Sequence, residues 1–167
     1  MGFVSNSSSS SFVLLLDKKP ESVEEVFAWL FPDGTFSEDT SVDTCAIAQR
    51  VFDDLQKEMP VSKEALEESI KSGHHCKSRF TSAKTTKSLE NALNAVWSHG
   101  FGNAKADKLW EKYRLLEEKQ TKAISKKMLK ENKQIFILEY EDCIELESAI
   151  EHSGVLEKAG AHRISHH

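Results

Sequence analysis

No apolar run in these 167 residues approaches the ~20 needed to cross a bilayer. The first such run, Phe12-Val13-Leu14-Leu15-Leu16, is too short for a secretory core and has no basic start before it. Gly2 invites myristoylation, but that pattern wants Ser or Thr at position 6 and finds Asn6. Glycine and proline are scarce, at 7 and 3 residues, which excludes a collagen-like chain. Cysteine is scarce as well. Cys45, Cys76 and Cys143 are odd in number, far apart and outside any CxxC pair. No disulfide framework is expected, each reads as a small buried hydrophobe, and a reducing cytoplasm fits best. Neither GxGxxG nor GxxxxGK[ST] occurs, so a dinucleotide fold or a P-loop has no support.

What is present describes one folded domain. The chain is long enough to bury a real core, and 39% apolar with 29% charged residues is ordinary for a globular protein. Its net charge of -5 conceals a segregation. Residues 1–72 hold 6 basic and 14 acidic side chains, whereas residues 103–133 hold 10 and 5. A basic middle between acidic ends either steers an acidic partner or docks against the chain's own acids.

The pattern of elements predicts an α+β fold. Phe12 to Leu16 is apolar at every position, as in a strand buried on both faces. Ser22 with Glu25 opens a helix carrying Val23, Val26, Phe27 and Leu30, and Pro32-Asp33-Gly34 ends it. Asp43 caps a second helix with Ala46, Ile47, Val51, Phe52 and Leu55, and Ser62 a third with Ala65, Leu66 and Ile70. Gly73 to Lys84 reads as loop. Ser88 to His99 is helical, with Leu89, Ala92, Leu93, Val96 and Trp97 on one stripe. A long helix runs from Ala104 to about Asn132, its stripe thinning at Gln120, where a kink or protrusion is expected. Ile135 to Leu138 is a strand, Asp142 to His152 a helix and Ala161 to His166 a strand. The expected architecture is a sheet of about three strands, made by the N-terminal strand and a C-terminal β-α-β unit. The sheet module spans 5–17 and 134–167. A large helical insertion, about 22–132, covers it within a single domain.

Four groups of residues carry chemistry. Ser7, Ser8, Ser9 and Ser10 lie in a serine tract whose amides and hydroxyls suit a phosphate, the plain alternative being a frayed terminus. His152, His162, His166 and His167 cluster near the end with Glu151. His152, His166 and His167 are candidate ligands for a divalent metal (Zn, Mn or Mg), and His162, His166 and Glu151 candidate acid–base groups. On a strand, His162 and His166 share a face but stand ~13 Å apart, too far for one ion, so other groups would have to complete the site. Gly73-His74-His75-Cys76 lacks the second ligand pair of a zinc finger and reads as loop. Lys77, Arg79 and Phe80, with Trp110 and Tyr113 on the long helix, form a basic and aromatic face for a partner or for nucleic acid. The competing account is a solvated helix face.

The opening Ser5-Asn6-Ser7-Ser8-Ser9-Ser10-Ser11-Phe12, the ending Ile164-Ser165-His166-His167 and the pairs Glu139-Tyr140 and Glu151-His152 resemble a family of small uncharacterised bacteriophage and bacterial proteins. The resemblance covers the termini only. It implies that the serine tract and terminal histidines are native, that the two ends meet in one sheet, and that the middle varies. A phage protein would work in the host cytoplasm. The leading expectation is a phosphate and metal site, binding or hydrolysing a nucleotide or nucleic-acid phosphate. The alternatives are an interaction protein that binds a host protein through the long basic helix, and a basic-face nucleic-acid binder.

Overall fold

The computed structural model describes residues 9–34, 42–72, 75–77, 80–99, 104–142 and 144–166. At its centre lies β1 (Ser9–Leu16), flanked on both sides and antiparallel to both neighbours. One neighbour is β3 (Gln134–Glu141), in register along the whole strand, with Phe12 opposite Leu138. The other is β4 (His162–His166), which places Arg163 opposite Phe12. A short β2 (His75–Lys77) pairs with β4 and completes the order β2-β4-β1-β3. β3 and β4 are therefore parallel, yet β1 lies between them, so the C-terminal β-α-β unit is split rather than adjacent.

Period-2 alternation sends successive β1 residues to opposite faces, and both faces are covered. Phe12 and Leu14, with Phe136, Leu138 and Tyr140, face α1 (Val23–Leu30), α2 (Thr44–Lys57), α6 (Glu145–His152) and α7 (Val155–Lys158). Val26, Leu30, Ile47, Val51, Leu55, Ile150 and Leu156 pack against them. Val13, Ile135 and Ile164 face the other way. They meet Leu66 and Ile70 of α3 (Lys63–Ser72) and Ile124 and Met128 of α5 (Ala104–Leu129). This double cover is why the strand reads as a solid apolar run. Each large side chain hidden there contributes roughly 1.5–3 kcal/mol.

Local signals set the helix starts. Ser22 accepts from the Glu25 amide, Asp43 from the Cys45 amide and Ser82 from the Thr85 amide. Gly154, at φ 69°, makes the left-handed turn between α6 and α7 that a side chain would strain.

Several boundaries differ from expectation. The serine tract does not stop short of the strand: Ser9, Ser10 and Ser11 are part of it. The segment read as loop contains β2, and α4 (Ala83–Ser98) begins five residues early because Ser82 supplies the cap. The helix expected from Asp142 starts at Glu145, since β3 continues to Glu141. Ala65 and Trp97 were expected to face inward, but both are exposed. The helical run of α5 is unbroken at Gln120, which donates to the Thr81 hydroxyl across to the start of α4. Among the described residues no helix is long and apolar enough to cross a membrane.

Candidate functional site

The polar end of the sheet is assembled from four elements. Ser10 lies in β1 on the Phe12 face, and Arg163 projects from β4 on the same face. α6 crosses above them and brings down Glu151, fully buried. Ser10 donates to Glu151 Oε1 at 2.8 Å. Arg163 Nε and Nη2 donate to Ser10 Oγ at 3.1 and 3.0 Å, and Nη2 also reaches Glu151 Oε1 at 3.3 Å. Arg163 Nη1 donates to the Glu151 carbonyl at 2.9 Å and lies 3.8 Å from Glu157. The guanidinium also rides 5.7 Å over the Phe12 ring. A carboxylate taken out of water costs several kcal/mol unless a cation and hydrogen bonds replace the solvent. Arg163 and Ser10 do so at Oε1, whereas the buried Oε2 accepts no hydrogen bond among the described residues.

A second network adjoins it. Glu147, one turn before Glu151 on α6, accepts from Arg50 Nη2 at 2.8 Å, and Arg50 also pairs with Asp54 at 2.9 Å. The buried Tyr140 phenol lies beside this group. Burial first, then the Asp54 charge, push its pKa up, so it stays protonated. At the rim, exposed His152 stands 3.6 Å from Asp142 and 3.9 Å from Glu151 Oε2. The Ser148 hydroxyl, then His152, hold the Asp142 carboxyl below its ordinary range.

The structure separates the candidate acid–base groups. Glu151 is on the Phe12 face, but His162 follows the alternation to the other face. There it is buried and stacked on Phe80, ring centroids 5.2 Å apart. His166 is placed by its backbone only, opposite Ser9, and His167, Ser7 and Ser8 lie outside the described residues. His152 sits among carboxylates, and among the described residues no three metal-binding side chains converge. Ser9 and Ser10 pair with both neighbouring strands, so they do not form the amide cradle that the serine tract suggested.

The basic and aromatic face divides as well. Phe80 packs into the second core. Lys77 is placed by its backbone in β2, and Arg79 lies outside the described residues. Tyr113 is buried, donates to Glu117 at 2.9 Å and stacks on half-exposed Trp110 at 5.5 Å.

α4 and α5 form an antiparallel hairpin, and the outward face of α5 carries a feature that a search for apolar stripes misses. Lys105, Lys108, Lys112, Leu115, Lys119, Lys122, Lys126 and Leu129 follow one another at alternating steps of three and four. That is a heptad seam, with Lys at every first position and Lys and Leu alternating at the second. All eight are exposed, Leu115 at 62%, on the side opposite buried Ala106, Tyr113, Ile124 and Met128. The row runs about 36 Å at 1.5 Å per residue. Acidic α3 packs beside its C-terminal part. Within the row, Lys122 pairs with Glu118 of the same helix at 2.7 Å. Lys108, Lys112, Lys119 and Lys126 have no ion-pair partner among the described residues. Counting the period of exposed charge, rather than of apolar residues, would have found it.

Comparison with protein-family models, with curated proteins and with solved structures finds no match to this chain.

Proposed function

We propose that this protein is a non-catalytic interaction protein whose α4–α5 hairpin binds an acidic helix of a partner protein along the lysine seam of α5. The seam carries this reading: six lysines and two leucines on one exposed helical line, of which Lys108, Lys112, Lys119 and Lys126 have no ion-pair partner among the described residues. The row is about one residue wide and is bounded by Glu111 and Glu118 on one edge. A helix fits that width, placing carboxylates against the lysines and apolar side chains against Leu115 and Leu129. A nucleic-acid backbone would bring phosphates onto the flanking carboxylates. Trp97 at 59% and Trp110 at 39% exposure add aromatic surface to the same hairpin.

The phosphate and metal reading has less behind it. The Arg163 donors at the serine end are already engaged by Ser10 and Glu151, and an incoming phosphate would meet a buried carboxylate.

Fluorescence anisotropy tests the proposal with a labelled synthetic helix bearing Glu opposite each lysine and Leu opposite Leu115 and Leu129. The matched helix should bind, more weakly as salt rises. Lys108→Glu with Lys112→Glu should cost about tenfold or more in affinity. Equal binding of a scrambled helix, or tighter binding of a single-stranded oligonucleotide, would overturn it.

A further inference from the structure

The hairpin is closed near its tip, where Val96, Ala106 and Tyr113 are buried, but it opens at its base into a cavity of about 390 Å³ between the start of α4 and the middle of α5. Phe80 forms one wall of it and also stacks on His162 and packs against the second core. The Gln120 to Thr81 hydrogen bond, at 3.2 Å, spans the gap. Walls of Phe80, Leu89, Leu116 and Ile124 are apolar, and the volume falls within the ~300–1,000 Å³ of small-molecule sites.

Charge decides the class of occupant. Lys84, Lys119 and Lys127 line the cavity, all exposed, and no Asp or Glu does. Among the described residues none of the three lysines has an ion-pair partner, and Lys127 donates only to the Phe80 carbonyl at 2.7 Å. Three cations beside an apolar chamber favour a ligand with one anionic head and an apolar body. The head is held by charge-assisted hydrogen bonds and the body by exclusion of water.

We infer that this cavity binds a medium-chain carboxylate, its chain between Leu89, Leu116 and Ile124 and its head at Lys84 and Lys127, where α4 begins. The inference stands whether or not the seam binds a helix, although Lys119 belongs to both.

Titration of the full chain with decanoate, followed by calorimetry and by amide chemical shifts, tests it. Saturable one-to-one binding is expected, with shifts confined to residues 80–89 and 116–127. Two variants lie outside the seam. Ala123→Phe, at an exposed position on the cavity wall, should fill the space and abolish binding. Lys84→Glu, in the first turn of α4 where an acid suits the helix, should fold and weaken binding about tenfold. Decyltrimethylammonium, with the same chain and the opposite charge, should not bind. Absent saturation, equal binding of the cation, shifts outside those segments, or unchanged affinity in Lys84→Glu would overturn the inference.

Discussion

Under α6, Arg163 and Glu151 are enclosed, and the guanidinium is committed to Ser10, to Glu151 and to the Phe12 ring. On α5, six exposed lysines share one line, and Lys108, Lys112, Lys119 and Lys126 have no ion-pair partner among the described residues. The two regions hold charge for opposite ends. At the sheet, charge is matched inside the fold and fastens α6 to β1 and β4. On the hairpin it stands at the surface, where our proposal gives it to a partner helix. Burial follows the same division. β1 is covered on both faces, whereas neither principal core cluster includes a residue of α4 or of α5 before Ile124.

The largest effect should come from breaking the buried pair. Glu151→Ala leaves Arg163 without its carboxylate and should cost about 3–5 kcal/mol in urea unfolding. Glu151→Leu combined with Arg163→Met removes both charges and should recover most of that loss. Lys112→Ala on the seam should stay within about 0.5 kcal/mol of the parent. Equal costs at Glu151 and Lys112 would erase the distinction.

The smallest effect lies at the rim. The Ser148 hydroxyl, and next His152, hold Asp142 below its ordinary value of 3.8. A folded pKa beneath the unfolded one stabilises fully above the unfolded value, and the gain is lost as pH falls through the folded value. Asp142→Asn should therefore lower stability slightly at neutral pH, and the difference from the parent should vanish in acid below that folded value. A difference that persists there would mean Asp142 acts through packing.

Much of the fold was legible in particular residues. The solid apolar run at Phe12–Leu16 required neighbours on both faces, and it has them. Ser22 and Asp43 marked their helices because an N-cap is a local hydrogen bond. The insertion of β1 between β3 and β4 was not legible, since strand order depends on long-range pairing that no local pattern encodes. Nor was β2, three residues held only by its partner β4. Ser10 and Glu151 stood in separate candidate groups, and Arg163, which joins them, was passed over. In the sequence it is a lone arginine between His162 and Ile164, and only the cross-strand register puts it under Glu151. His162 failed as a partner of Glu151 for the same reason, because neighbours along a strand point to opposite faces. The lysine seam was in the sequence throughout, at steps of three and four.

Native-state hydrogen exchange, with and without the matched acidic helix, tests the central claim most directly. Amides of Phe12 to Leu14 should exchange only through global unfolding, and those of the outer hairpin faster, through local opening. The acidic helix should slow exchange along α5, from Lys105 to Lys126, and leave α1 and α2 unchanged. Protection gained under α6 or on α1 and α2, with none on α5, would contradict the account.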